Sequence, residues 1–465
     1  MNTYHLAAGS IAMPGRDEPC VLSATQRSAN VRVRENAFKN AIFKRYLSNT
    51  SWMMAEQLLR IISGVFVGIY IARFLGPEEF GVLSYVLAIA TFIIAVSRLG
   101  MDAILVRELV SHPEKKLALM GTAFWMMFVA AVLCSTIVSA IVWSLGELPA
   151  VKVYASIISI SAIFASALAV DYCFQSEVRA SLSALCKSVT LIFMSVVKLC
   201  LIYIQADLVW FVCAFLMDHA VLAVVFFWAA VRQRRAGFVK CFCWNDAKSM
   251  LVSAWPLVLG AVSIQIYMRI DQIMIRNMIG LKEVGLYSAA VRIYEAWAVV
   301  IAVLTVSLLP AIVKLKQGGE GIYHKRMAQL FGLVIWMSVG AALFVSITSE
   351  HVMVFAFGAE YRASAPVVDI IMWTAVFAAM GSVSARYFNV EKMERKYAAR
   401  TALAAVLNII LNFLLIPVYG IKGAALSTLI CTFFANYLMD WFDKDLRTLL
   451  NIKHRAIFRP INQMR

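Results

Sequence analysis

Charge is scarce in this chain. Asp, Glu, Lys and Arg make up 15% of its 465 residues, against about 25% in soluble globular domains, and the shortfall excludes an ordinary water-soluble fold. The nine cysteines sit mostly inside apolar runs without metal-ligand spacing. Cys241 and Cys243 form a lone C-x-C, too little for a metal centre, so they read as small packing residues. Period-two alternation is absent, which excludes a β-barrel. No glycine-rich phosphate loop, metal cluster or nucleophile arrangement stands in the connections, so nothing points to ATP hydrolysis by this chain. Residues 1–50 contain no continuous apolar run, so a signal peptide is not expected there.

What is abundant is hydrocarbon. Hydrophobic residues make up 62% of the chain and the mean hydropathy is +0.78. Runs of about 20 apolar residues must form helices in lipid, because only a helix or a closed barrel pairs all its backbone groups. Twelve such spans are expected, at 52–74, 81–99, 119–145, 151–173, 185–204, 208–230, 251–275, 286–309, 327–348, 366–388, 401–418 and 421–441. The fold class is therefore all-α integral membrane.

The net charge of +16 would suit nucleic acid, but its placement follows the positive-inside rule instead. One alternate set of connections holds Arg98, Arg107, Lys115, Lys116, Arg179, Lys187, the run from Arg232 to Lys248, Lys314 to Arg326 and Arg386 to Arg400. The opposite set holds only Arg73, Lys152, Arg276, Lys282, Arg362 and Lys422. The first is called the basic side below and the second the sparse side. Both basic termini fall on the basic side, which predicts an even number of spans and a cytoplasmic location for that side. The sparse connections are too short for a folded catalytic domain. The expected organisation is a basic tail (1–50), a first six-span lobe (51–235), a linker (236–250), a second lobe (251–442) and a basic tail (443–465); whether residues 1–45 belong to the mature protein is left open.

The two lobes share a repeat. LGPEEFGVLSYVLAI from Leu75 and IGLKEVGLYSAAVRI from Ile279 align Gly76 with Gly280, Gly81 with Gly285, Glu79 with Glu283 and Ser84 with Ser288, at a constant offset. Each copy joins the first two spans of its half, so the copies share one orientation, and a pseudo-two-fold axis runs along the membrane normal. Transporters place substrate at such repeat interfaces.

Charges inside the spans mark the polar path, since a lipid-facing charge costs about 2.5–3.5 kcal/mol on insertion scales. Gln265, Arg269, Gln272 and Arg276 share one helix face. The candidate cationic lining is Arg60, Arg98, Lys198, Arg269 and Arg292, and the candidate gating or ion-coupling groups are Glu56, Asp218, His219, Asp271 and Glu295. Self-pairing of Glu56 with Arg60, Arg292 with Glu295 and Lys198 with Asp218 would leave Arg98 and Arg269 unpaired. Asn408 and Asn412 read as interhelical hydrogen-bond groups, and Pro256 and Pro310 as kink sites.

IARFLGPEEFGVLSYVLAI after the first span, FQSEVRA after the fourth, MRIDQIMIRNMIGLKEVGLYSAAVRIYEAW across the seventh and eighth, FGAEYRASAPVVDII before the tenth and NIILNFLLIPVYGIKGAALST through the last two resemble the polysaccharide-transport family. That family belongs to the multidrug/oligosaccharidyl-lipid/polysaccharide (MOP) exporter superfamily and includes the Wzx-like O-antigen flippases. The resemblance covers residues 44–443, and the Asp271–Gln272 pair matches its recurrent motif. It implies a bacterial inner-membrane flippase moving undecaprenyl-pyrophosphate-linked oligosaccharide by alternating access, for O-antigen of lipopolysaccharide, capsule or exopolysaccharide. The expected partners are the lipid-linked glycan, membrane lipids, a polysaccharide polymerase and a chain-length regulator, with no nucleic acid and no cofactor beyond a coupling proton or sodium ion. Two other readings stand beside it: a cation-coupled multidrug antiporter of the same superfamily, and a membrane polymerase or ligase.

Overall fold

The computed structural model describes residues 24–458 apart from 178, 317 and 318, with backbone alone for 24–50, 236, 256, 306, 307, 309–315 and 394. The kink assigned to the side chains of Pro256 and Pro310, and the tail residues 1–23 and 459–465, lie outside the described residues. Two compact units divide the chain, Met1–Asn49 and Thr50–Arg465. The first is helical over its described residues; everything below concerns the second.

The described elements of the chain are helices: α1 (Ala24–Ser97), α2 (Met101–Ser111), α3 (Lys116–Ser144), α4 (Pro149–Ser159), α5 (Ser161–Phe164), α6 (Leu168–Ser176), α7 (Ala180–Tyr203), α8 (Leu208–Arg232), α9 (Trp244–Met278), α10 (Leu281–Lys316), α11 (Glu320–Phe357), α12 (Ala365–Val390), α13 (Glu394–Tyr419), α14 (Ile421–Phe433), α15 (Met439–Phe442) and α16 (Arg447–Phe458). No strand occurs among the described residues. Eleven segments are long and apolar enough to cross a membrane, and the first, Ser51–Ser111, has 61 residues. At 1.5 Å per residue that segment is about 90 Å long, three bilayer cores, so it holds two crossings. The fold-back lies at Gly76, whose φ of 72° and ψ of 173° suit glycine, with Pro77 starting the next turn. The eleven segments thus contain the twelve spans read from hydropathy.

The repeat is visible as packing. A Cβ on Gly81 would stand 1.8 Å from the Leu281 carbonyl oxygen, and a Cβ on Gly285 would stand 1.8 Å from the Pro77 carbonyl oxygen. Residues 77 and 281 are themselves repeat-equivalent, so the contact is reciprocal, as a two-fold axis between the copies requires. Only glycine permits this backbone approach.

Three apolar cores divide the unit by depth. On the sparse side one core takes residues from both halves, among them Ile71, Leu83, Val151 and Phe211 with Ile275, Val284, Phe357 and Val367. Towards the basic side it splits. One core holds Met101, Met120, Phe174, Phe226 and Phe238 of the first half together with Met250 and Ala254 at the start of α9; the other holds Ile301, Phe331, Val383 and Leu449 of the second half. The halves share a core on the sparse side; on the basic side each has its own, except that the start of α9 packs into that of the first half.

The stretch read as a linker is packed. Trp125 Nε1 donates to Val239 O at 2.8 Å, the Cys243 amide donates to Thr122 Oγ1 at 3.0 Å, and Phe238 is fully buried. The C-terminal tail is also ordered in part, as α16. Lys453 on it is fully buried, donating to Asp440 at 2.7 Å and to Asn436 O at 2.6 Å. Arg400 meets the same carboxylate at 2.9 Å. Asn436 lies in a π-helical turn, Phe434–Leu438, whose register frees carbonyls for these cations.

Candidate functional site

The divergence of the halves leaves three adjoining cavities. The first, about 500 Å³, lies in the first half and is lined by Arg60, Arg98, Asp102, Asp171, Gln175, Lys187, Asp218 and His219. The fourth crossing forms part of its wall, and there the helix is interrupted by a 3₁₀ turn, Ala165–Ala167, a break that membrane interiors tolerate only where protein or a cavity covers it. The second, about 170 Å³, lies between the halves, with Ser84, Thr91 and His219 facing Arg269, Gln272, Ser288, Arg292 and Glu295. The third, about 360 Å³, is a vestibule walled by Thr91, Arg98, Asp102, His219 and Gln265. His219 borders all three. Its Nδ1 lies 3.4 Å from Phe215 O.

The stripe on α9 runs through this space. Gln265 faces the vestibule, Arg269 and Gln272 face the central cavity, and Arg276 pairs with Glu147 beyond its sparse-side end. A helix presents residues at these intervals on one face, so the stripe is a ladder of polar groups across the bilayer. In the central cavity two arginines share one carboxylate: Glu295 accepts from Arg269 at 3.0 Å and lies 3.6 Å from Arg292. The three side chains keep 26–30% of their surface accessible, and the trio carries one net positive charge facing water-sized space. The Arg292 guanidinium packs against the first span at Gly68, 3.5 Å from where a Cβ there would stand.

The remaining candidates sort by depth and partner. Arg60 lines the first cavity and bonds Glu56 at 2.9 Å; Glu56 is buried. Arg98 is exposed and has no carboxylate within ion-pairing distance among the described residues. Asp218 lines the first cavity and holds Lys198 at 2.5 Å. Lys198 is buried with its ammonium 3.9 Å from the Phe215 ring centre; it neutralises Asp218 instead of facing the cavity. All three anticipated pairs form. Arg269, expected to stay unpaired, is reached by Glu295 from the next helix.

Asp271 turns away from the cavities. It is buried and accepts from Tyr287 at 2.5 Å, Asn412 Nδ2 at 2.5 Å and Thr428 at 2.8 Å. No Lys or Arg pairs with it among the described residues, and Asn412 Oδ1 is buried without a hydrogen-bond partner. Asn412 also donates to Asn408 at 3.2 Å. The asparagines therefore tie helices together, as their spacing suggested, and surround a carboxylate.

Sequence reasoning passed over two groups. Asp171 accepts from Lys187 at 2.6 Å, from Gln175 at 3.0 Å and from Ser183, in the wall of the first cavity. Lys187 had been counted among connection charges. Glu147, buried, pairs with Arg276 and accepts from Tyr85 at 3.2 Å. A buried lone Glu in a short sparse-side loop, opposite the last arginine of the stripe, was the available signal.

The geometry is that of a helical bundle closed on one face around a polar, net-cationic hollow. It is similar to an inward-facing multidrug resistance MATE family transporter of the MOP superfamily, at 14% identity over 86% of this chain and 96% of that one, with a TM-score of 0.67. The lipid II flippase MurJ in an inward closed conformation gives 16% identity over 88% of this chain and 91% of that one, also at 0.67. An outward-facing MATE family transporter gives 0.56, at 14% identity over 91% of this chain and 96% of that one. At such identities the likeness concerns the fold. No curated protein matches the sequence. The family described as polysaccharide biosynthesis protein matches residues 46–316, more than half of the chain. This chain belongs to that family.

Proposed function

We propose that the chain flips a polyprenyl-pyrophosphate-linked oligosaccharide between the leaflets of the bacterial cytoplasmic membrane, loading it from the basic, cytoplasmic side. The observation that carries this reading is the central cavity, where Arg269 and Arg292 share the single carboxylate of Glu295. A pyrophosphate headgroup entering hydrocarbon unaided loses its hydration, at a cost on the order of tens of kcal/mol in the idealised limit. Two guanidinium groups with one positive charge in surplus replace that hydration by charge-assisted hydrogen bonds. The polyprenyl tail stays in lipid while the glycan occupies the larger first cavity. The same charge excess disfavours a cationic drug as cargo, because such a cavity needs surplus carboxylate.

Asp271, Asn412 and Thr428 are the residues we assign to holding a coupling proton or sodium ion. The carboxylate has donors but, among the described residues, no paired cation, and the unpartnered Asn412 oxygen beside it suits a positively charged guest. A bound cation would supply the charge compensation that Arg269, two residues away on α9, gives to Glu295 instead.

The test is surface polysaccharide in cells lacking their own flippase. Each lost charge-assisted hydrogen bond is worth about 1.5–3 kcal/mol, so Arg269→Ala and Arg292→Ala should each lower output about ten- to hundredfold at equal membrane abundance. Undiminished output from both variants would remove the central cavity from the transport path.

A further inference from the structure

Among the described residues one ion pair joins the halves on the sparse side, Glu147–Arg276, beside hydrogen bonds from Tyr361 to Ala72 O at 2.7 Å and from Arg73 to Phe355 O at 3.3 Å. Glu147 sits in the loop between α3 and α4; Arg276 is on α9 of the second half. The Glu147 side chain is 4% accessible and that of Arg276 22%. Tyr85 donates to Glu147 at 3.2 Å, and the Arg276 guanidinium lies 5.9 Å from the Tyr85 ring centre. Arg276 Nε is buried and has no hydrogen-bond partner. In the other repeat Ala72 stands where Arg276 would, and the neighbouring Arg73 reaches the corresponding connection by donating to Phe355 O at 3.3 Å, a carbonyl in place of a carboxylate.

Arg276 is also the next member of the stripe after Gln272, one helical turn beyond the central cavity. A group moving up from Arg269 and Gln272 reaches Arg276 next. Separating the halves on this side would strand a guanidinium in low dielectric unless another anion replaced Glu147. Glu147 has no such difficulty, because its loop opens to water and Tyr85 remains its donor.

We infer that Glu147–Arg276 is an exit latch opened by the cargo: the anionic headgroup displaces the Glu147 carboxylate from Arg276, which then serves as the last cationic station before release. This rests on the flippase reading for its cargo. It adds a positioning role for Glu147 and a substrate-contacting role for Arg276.

The experiment places a thiol at Ser288→Cys, in the central cavity beneath the latch. It is labelled by a membrane-impermeant maleimide from the sparse side, with the chain lacking that substitution as background. In the parent, labelling should be slow and rise several-fold on adding a short-chain polyprenyl pyrophosphate. Glu147→Gln should label about tenfold faster without ligand and respond no further. The double exchange Glu147→Arg with Arg276→Glu should restore slow labelling, which also reports its folding, yet fail to respond to the pyrophosphate and fail to transport. Parent-like labelling of Glu147→Gln, or full transport by the double exchange, would overturn the latch. A fast-labelling Glu147→Gln beside a parent indifferent to polyprenyl pyrophosphate would keep the latch and overturn the flippase reading instead.

Discussion

Arg269, Arg292 and Glu295 illustrate how one carboxylate tunes a cationic site. With Glu295 shared, the trio holds one surplus positive charge, enough to attract an anion and small enough to release it. Replacing Glu295 by Gln removes the competitor and leaves two unpaired guanidinium groups. We expect Glu295→Gln to bind polyprenyl pyrophosphate up to about tenfold more tightly, a gain of about 1.4 kcal/mol, while transport slows because release is impeded. Binding to the purified protein and transport in cells should therefore move in opposite directions, and weaker binding would mean that Glu295 itself contacts the cargo. These three residues were legible in sequence because an arginine in a span is conspicuous. Their pairing was not, since Glu295 reaches Arg269 across a turn between helices and contact over that distance leaves no spacing signature. The same reason hid Glu147–Arg276 and Asp171–Lys187. A charge near a span end reads as a solvated connection until the fold brings its partner to it.

At the scale of elements, hydropathy located the crossings well because lipid forces every backbone group into a helix. It did not reveal that the linker packs against α3 or that α16 docks, since both look like polar basic sequence. Buried Lys453 makes the docking pH-dependent. Burial, aided by the charge of Arg400 and opposed by the pull of Asp440, lowers its pKa from the usual 10.5 to about 8. Between those values the detached helix keeps a proton that the docked helix has shed, so docking strengthens as pH rises from about 8 to 10.5. Proteolytic release of the segment after Phe442 should be slower at pH 9.5 than at 7.5, after correction on a peptide control, and Lys453→Met should abolish the difference. Faster release at the higher pH would mean that the charged lysine stabilises the contact. The crossing of the two repeats at Gly81 and Gly285 gives a second check. A side chain at either position forces the backbones apart, so Gly81→Val should cost about 1–3 kcal/mol of overpacking strain. It should also raise sparse-side labelling of the thiol placed at Ser288→Cys.

For the whole molecule, the repeat read from two glycine-bounded turns predicted a two-fold arrangement, and the reciprocal Gly81–Gly285 contact has that symmetry. What no repeat could foretell is the depth at which the halves part. That follows from the three cores, one shared along the sparse side and two centred one in each half, and it leaves the arginines facing the basic side. A rocking motion that splits the shared core and merges the separate ones would turn the same cavity to the opposite face. The central claim is that a cationic, water-accessible hollow carries an acidic sugar-lipid head across the membrane. It is tested most directly in vesicles reconstituted with the purified protein, by following the exposure of a labelled polyprenyl-pyrophosphate oligosaccharide to a membrane-impermeant glycosidase. The account predicts that glycan on the inner leaflet becomes accessible far faster than in protein-free vesicles, and that Arg269→Ala with Arg292→Ala removes the acceleration. Exposure no faster than in empty vesicles, with the protein folded and inserted, would contradict it.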